Sequence, residues 1–324
     1  MSSNSAFGSF ISNLERVGLR LKRTRLAETR SGRVIVDLIL WPTDLVKILR
    51  SYHASFGVYP NLLRPRGFND FLQQSKLFRR KRRYTQCADK VAVRDYVASV
   101  IGPQYLNQLY WVGTDLREAP RARLPQSFVI KSNQGSGTIL IVKDATVVDW
   151  NAADLETRRW LRIDHSVHFA EWQYRWIKPR LLIERLLTTS DGSVPLDYKF
   201  FCFHGQVELV QVDFDRFTGH SRALFDRHFS RLPVRYQFPP YGGALGKPAC
   251  FEQLVQLAER LAGDEPFVRV DFYDVEGPVF GEMTYHPGAG LEHFDPPEWD
   301  LRLGALLRGR RRWPGSKHQA VGGG

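Results

Sequence analysis

Apolar residues in the first hundred positions recur at helical spacing. Phe10, Leu14, Val17 and Leu21 mark one amphipathic stretch within residues 1–32. Residues 34–56 read as a helix interrupted by Pro42, and residues 68–80 as another after a loop at 61–66. Residues 89–101, DKVAVRDYVASVI, have Asp89 to cap them, valines on one face and Gly102-Pro103 to stop them. Further on the apolar runs shorten. Residues 128–131 and 138–142 predict strands around the glycine loop SNQGSG at 132–137. RLLIERLL, from Arg180, predicts a buried strand broken by Glu184. Residues 196–213 predict a hairpin turning at His204-Gly205. Residues 150–163 and 251–262 read as helices, the second stopped by Gly263, and 225–240 as a loop rich in aromatics and arginines.

The most informative stretch is VRVDFYDVEGPVFGEMTYHPGAG, residues 268–290. It predicts two strands joined at Glu276-Gly277. A two-residue loop puts Asp271 directly opposite Glu282, with Thr284 beside Glu282 on the same face. Facing like charges destabilise a hairpin, so something positive is expected between them. Two readings stay open. One is Mg²⁺, which takes one or two carboxylates and completes its shell with phosphate and water. The other is a solvated hairpin in which arginines pair with the acids.

Charge changes the picture at the front of the chain. Of 324 residues, the first 90 hold 18 Lys/Arg and 6 Asp/Glu, so the whole net charge of +12 lies there. The run at 79–83 is the densest, and a second cluster spans 308–312. Such patches attract nucleic acid, anionic lipid or an acidic polymer, or only aid solubility. Few aromatics interleave with the arginines at 79–83 and no RNA-binding signature is present, which weighs against nucleic acid. The basic amphipathic front suits either a membrane surface or packing on its own domain. Three separated cysteines fit a reducing compartment, and no segment has the length of a transmembrane helix or the cleavage site of a signal peptide.

Several polar residues carry candidate chemistry. Lys90 falls in the first turn of its helix, where a bound anion would relieve its conflict with the macrodipole; a merely exposed lysine is the alternative. The loop after Lys131 can lay backbone N–H groups over phosphates but is not a Walker A loop. Glu184, inside an apolar run, needs a partner or a job. Asp197 and Lys199 share a face and can simply pair. His165 and His168 have metal-like spacing without a third ligand.

In order, the pieces are Asp-Lys before a helix, Lys131 before a glycine loop, Ile-Glu-Arg ending an apolar strand, Asp-Tyr-Lys in a hairpin, and Asp271 with Glu282 and Thr284. That order resembles the ATP-grasp superfamily. DKVAVRDYV, LPQSFVIKSNQGSG, EWQYRWIKPRLLIERLL, LDYKFFCFHG and VDFYDVEGPVFGEMTYHPGAG are similar to its TupA-like branch, linked to teichuronopeptide and capsular or exopolysaccharide biosynthesis, over roughly residues 58–305. The resemblance implies an α+β, ATP-grasp fold of two α+β subdomains holding ATP between them. The expected divisions are a basic, mostly helical region 1–57, a domain 58–305 (parts 58–127, 128–183 and 184–305) and a basic, glycine-rich tail 306–324. It further implies that Lys90, Lys131 and the loop Gln134, Gly135, Ser136 and Gly137 touch phosphates. Glu184, Arg185 and Leu186 would hold the adenine side, and Lys199 would lie near phosphate or adenine. Asp271, Glu282 and Thr284 would carry Mg²⁺. Lys131 and Arg222 are the candidate catalytic residues, Arg222 toward an acyl phosphate or the acceptor. Thr284 stands where the wider superfamily often has Asn, and Gln134 where this branch is expected to have His.

The function these features imply is a Mg²⁺- and ATP-dependent carboxylate–amine ligase in the cytoplasm or at the inner face of the membrane, adding an amino acid or other amine to an acidic glycan or other carboxylate. The rivals are a kinase or glycosyltransferase-pathway enzyme of polysaccharide synthesis, and a non-enzymatic protein using its basic front to bind nucleic acid or membrane.

Overall fold

The computed structural model describes residues 2–190, 192–215 and 219–309, with side chains from residue 8 on. Residues 310–324, which hold most of the terminal basic cluster and tail, lie outside the described residues. The chain divides into two compact units. One comprises Met1–Pro60, Leu72–Tyr96 and Asn107–Leu186, the other Asn61–Phe71, Val97–Leu106 and Leu187–Gly324.

The first unit opens with two helices, α1 (Ser2–Lys22) and α2 (Arg30–Phe56). They approach closely at Gly18, where a Cβ would lie 2.5 Å from Leu40 Cδ2, and Lys47 pairs with Glu15 at 2.5 Å. Thr29 caps α2 by accepting the Gly32 N–H at 3.0 Å, and Gly57 ends it at φ 72°. The expected interruption at Pro42 does not occur: α2 runs through it. The carbonyl that proline leaves without a donor, four residues back, belongs to Leu38. That residue is 68% exposed, so water can take the bond. Asp37 and Asp44, two turns apart, face Arg175. Its Nη1 donates to Asp37 and its Nη2 to Asp44, both at 2.8 Å, and Arg80 donates to Asp44 at 2.7 Å.

Three short helices follow, α3 (Phe68–Phe78), α4 (Arg82–Ala88) and α5 (Val93–Val100). Then come strands β1 (Leu109–Gly113), β2 (Phe128–Ser132) and β3 (Ile139–Val142), helix α6 (Trp150–Trp160) and strand β4 (Leu181–Arg185). The sheet order is β1-β4-β2-β3, antiparallel throughout. Phe128, Ile130, Leu181 and Ile183 form one core with Ala153 and Trp160 of α6. The strand period of two then sends Lys131 and Glu184 to the opposite face.

The second unit holds β5 (Asp197–Phe203), β6 (Gln206–Phe214), β7 (Ser221–Phe225), β8 (Arg235–Tyr236), α7 (Phe251–Ala262), β9 (Phe267–Asp274), β10 (Pro278–Thr284), β11 (Phe294–Asp295) and α8 (Glu298–Leu307). Its main sheet runs β10-β9-β5-β6-β7, antiparallel; β8 and β11 form a ribbon. The β5–β6 hairpin turns at His204-Gly205, both at positive φ (48° and 78°), the two-residue geometry the sequence predicts. One face of the sheet packs on α7, with the Phe200 and Phe251 ring centroids 6.1 Å apart. Leu254, Leu257 and Leu261 of α7 are buried there, each contributing roughly 2 kcal/mol. The other face is apolar at one end, where Phe201, Phe203 and Phe267 surround Phe68. Its other end is polar.

Candidate functional site

Each unit carries one cluster of the predicted residues. In the first unit the stem of the glycine loop is fixed by side chains. Ser132 Oγ donates to Gln134 O at 2.8 Å. Buried Asn133 donates to Asp89 Oδ1 (2.9 Å) and Lys178 O (3.1 Å) and accepts from Arg180 N (2.8 Å). Gln134 Nε2 donates to Ile163 O at 3.1 Å. The tip, Ser136 and Gly137, stays exposed. Gly135 needs to be glycine twice over: its φ is 65°, and a Cβ would lie 2.3 Å from His165 Nδ1. Burial, and then the charge of Lys90, lower the His165 pKa.

Lys90 belongs to this loop. Its backbone N–H donates to Asn133 O at 2.8 Å and its Nζ to Gly135 O at 2.5 Å. Asp89 accepts from Val91 N and Ala92 N, so the capped turn occupies residues 89–92 and α5 starts at Val93, later than the sequence predicts. Glu184 has two partners: Lys131 Nζ at 3.2 Å and Arg94 Nη1 at 3.1 Å. Arg94 also donates to Asn107 O at 2.7 Å. Arg185 is exposed and Leu186 half-buried. Sequence reasoning missed Arg94, although it lies one helical turn from Lys90.

In the second unit a polar belt crosses all five strands on one face. Its members are Glu282 and Thr284 on β10, Arg269 and Asp271 on β9, Asp197 and Lys199 on β5, Gln211 and Asp213 on β6, and Arg222 on β7. Asp271 is paired directly with Glu282, as predicted, but by a different route. The loop is Val275, Glu276 and Gly277, three residues rather than two, and the ladder slips by one between Phe280 and Glu282. The two differences cancel. Phe280 still opposes Phe272 on the α7 side. In an unbroken ladder Gly281 would oppose Asp271, and Glu282 would oppose Val270 and point to that apolar side; the bulge at Gly281 turns Glu282 to the belt.

The positive group expected between the acids is Arg269. Its Nε donates to Asp271 Oδ1 at 2.7 Å, and its Nη2 to Asp271 Oδ2 (2.7 Å), Glu282 Oε1 (3.0 Å) and Thr284 Oγ1 (3.1 Å). Lys199 Nζ donates to Asp271 Oδ2 at 2.8 Å and also to Asp197. Burial raises the Asp271 carboxyl above its ordinary value, with Asp197 and Glu282 adding to it, against the pull of Arg269 and Lys199. Burial alone would lower Lys199, but Asp197 and Asp271 outweigh it and keep the ammonium charged. Arg269 went unnoticed in sequence, although two residues before Asp271 is the same-face position.

Arg222 sits at the far strand of the belt, bonded through Nε and Nη1. Its Nε donates to Asp213 at 2.7 Å and its Nη1 to Tyr236 O at 3.1 Å, with Glu292 at 3.3 Å; the Tyr236 and Phe238 rings lie 5.0 and 4.8 Å away. Burial would raise Asp213, but the charges of Arg222 and Lys199 hold it at about 2.

Among the described residues, no group of three or more His, Cys, Asp or Glu is arranged to hold a metal. Asp271 and Glu282, with the Thr284 hydroxyl, are a smaller set of hard oxygens. They fit Mg²⁺ when other ligands, such as phosphate oxygens, complete its shell. On this belt the acids Asp197, Asp213, Asp271 and Glu282 outnumber the cations Lys199, Arg222 and Arg269, which favours a further cation.

A family model described as TupA-like ATPgrasp matches residues 70–308. No curated protein matches the chain. Among solved structures, the D-alanine–D-alanine ligase from Bacillus anthracis is 16% identical, with 69% of each chain covered and a TM-score of 0.40. The L-amino acid ligase from Bacillus licheniformis is 11% identical, with 82% of this chain and 62% of that one covered and a TM-score of 0.45. The VanG D-Ala:D-Ser ligase from Enterococcus faecalis is 14% identical, with 69% and 62% covered and a TM-score of 0.43. The chain spans less than two thirds of the last two. No helix among the described residues is long and apolar enough to cross a membrane.

Proposed function

The chain belongs to the TupA-like ATP-grasp family, and from that premise we propose that it is a carboxylate–amine ligase using ATP and Mg²⁺, which joins an amino acid to an acidic cell-surface polymer or its precursor. The observation that carries the reading beyond the family is the acid pair on the belt: Asp271 and Glu282 directly opposed, with Thr284, Arg269 and Lys199 around them.

In this reading a substrate carboxylate oxygen attacks the γ-phosphorus and the bond to the β-phosphate oxygen breaks, giving an acyl phosphate and ADP. The amine nitrogen then attacks the acyl carbon, phosphate leaves, and the nitrogen loses its proton as the amide forms. No side-chain nucleophile is needed. The protein supplies position and charge. Lys90, Lys131 and the amides of Gln134, Gly135, Ser136 and Gly137 are assigned to phosphate. Glu184, Arg185 and Leu186 are assigned to the adenine side, where Glu184 fixes Lys131 and Arg94. Mg²⁺ held by Asp271, Glu282 and Thr284 would neutralise phosphate charge; Lys199 and Arg269 add positive charge beside it. Arg222 is assigned to the acyl phosphate or the acceptor, with Asp213, Tyr236 O and Glu292 setting the position of its guanidinium. The basic front favours an acidic acceptor. The proposed setting is the cytoplasm at the inner face of the membrane, consistent with three free cysteines.

The test supplies Mg²⁺-ATP, a uronic-acid glycan or acidic peptide, and a mixture of amino acids. Phosphate release is expected only with both acceptor and amine, together with a product heavier by an amino acid less water. Hydroxylamine in place of the amino acid should trap a hydroxamate. ATP consumption with a sugar lacking any carboxylate, giving a phosphorylated product, would replace the ligase by a kinase.

A further inference from the structure

The first unit carries a surface that the proposed chemistry does not use. Val34, Leu38, Trp41, Leu45 and Leu49 recur every three or four residues along α2, with Ile35 beside them. They form one stripe roughly 20 Å long, and Pro42 fills its only gap. No polar residue interrupts that face between Val34 and Leu49. Val34, Ile35 and Leu38 are 52%, 45% and 68% exposed. The helix uses its other sides for packing: Leu40 and Lys47 meet α1, and Asp37 and Asp44 face Arg175.

The patch continues at Phe78, itself 58% exposed, whose ring lies 6.2 Å from that of Trp41. The dense basic run begins at the next residue, with Arg79 and Arg82 exposed, and Arg30 is exposed at the start of α2. The acids of α2 itself are Asp37 and Asp44. Both are drawn into ion pairs with Arg175 and Arg80, so cations dominate the rim.

An apolar stripe whose one hydrogen-bonding side chain is the indole of Trp41, edged by arginines, matches the chemistry of an anionic lipid surface: acyl chains below, negative headgroups above. We propose that α2 lies in the plane of such a surface, with the Val34–Leu38–Trp41 stripe and Phe78 in the headgroup–acyl boundary and Arg30, Arg79 and Arg82 on the headgroups. Of the basic, amphipathic front read in the sequence, this docking uses α2; on α1, Phe10 and Val17 are also exposed, at 57% and 48%. This docking is independent of the ligase reading, and its test needs no turnover.

The full chain is sedimented with vesicles of phosphatidylglycerol and phosphatidylcholine in equal parts, and with phosphatidylcholine alone. Binding is expected to the first and not the second, and to fall as salt rises. Leu38→Asp combined with Val34→Asp should reduce the bound fraction at least tenfold while leaving the circular dichroism spectrum unchanged, because both side chains already face water. Arg30→Ala with Arg79→Ala and Arg82→Ala should weaken vesicle affinity about 100-fold, at roughly fivefold per charge. No binding to anionic vesicles, or binding that neither variant changes, overturns the proposal. So does a concentration-dependent dimer, seen by light scattering and abolished by Leu38→Asp, in a chain that ignores vesicles. In that case the stripe joins two copies.

Discussion

Arg222 shows how much a buried charge depends on its neighbours. Its guanidinium bonds to Asp213, Tyr236 O and Glu292. Asp213→Asn should therefore destabilise the protein by about 3 kcal/mol in urea unfolding, since it leaves that charge without its main partner. Asp213 titrates at about 2 when folded, below its ordinary 3.8, so its contribution is fully present above about pH 4 and is lost as pH falls through 2. The wild type should lose about 2 kcal/mol more than Asp213→Asn between pH 5 and 2. Glu282 is the opposite case. It is partly exposed, and its neutralisation removes a repulsion with Asp271, so Glu282→Gln should keep the melting temperature while lowering Mg²⁺-ATP turnover about 100-fold. Turnover with an unchanged Mg²⁺ dependence would remove the acid pair from the chemistry. Arg269 already spans the two acids, so Mg²⁺ alone should bind weakly and Mg²⁺-ATP much more tightly, which calorimetry can separate.

Among the elements, the β9–β10 hairpin is the sharpest test. Deleting Gly281 removes the bulge yet leaves Phe280 opposite Phe272 and Glu282 opposite Asp271 in a regular ladder. The Mg²⁺ dependence of turnover should therefore survive that deletion, whereas Glu282→Gln should abolish it. In the other unit, Gly135→Ala meets the His165 ring and an unfavourable φ, and should destabilise by about 1–2 kcal/mol and raise the KM for ATP. These elements also mark what the sequence made legible. Alternation and turn residues located β2, its loop, the β5–β6 hairpin and α7, because each is specified by residues close in the chain. The Asp271–Glu282 pairing emerged although loop and ladder each differed by one residue, since the hydrophobic pattern admits only one face for the acids. The partners of those acids were hidden. Arg269 and Arg94 look like ordinary surface arginines until the sheet and the turn at Asp89 bring them to Glu282 and Glu184. Pro42 misled for a related reason: whether a proline breaks a helix depends on whether its orphaned carbonyl meets water, a property of packing.

At the scale of the molecule, the family match begins at residue 70, but folding reaches further forward. Removing residues 1–28, and with them α1, should leave ATP affinity within several-fold, because every assigned nucleotide contact follows Asp89. Removing residues 1–57 should unfold the first unit. Arg175, with a side chain only 2% exposed, would lose both Asp37 and Asp44. Limited proteolysis of the two truncations separates these outcomes: the shorter deletion leaves a resistant fragment and the longer one does not. The same ion pairs set a timetable for synthesis. Asp37 and Asp44 leave the ribosome 138 and 131 residues ahead of Arg175. At translation speeds of roughly 5–20 residues per second, α2 waits on the order of ten seconds for the arginine that seats it. During that interval Arg80 alone can pair with Asp44, and a growing chain stalled before residue 175 should be cut by protease within α2 where the finished protein is not.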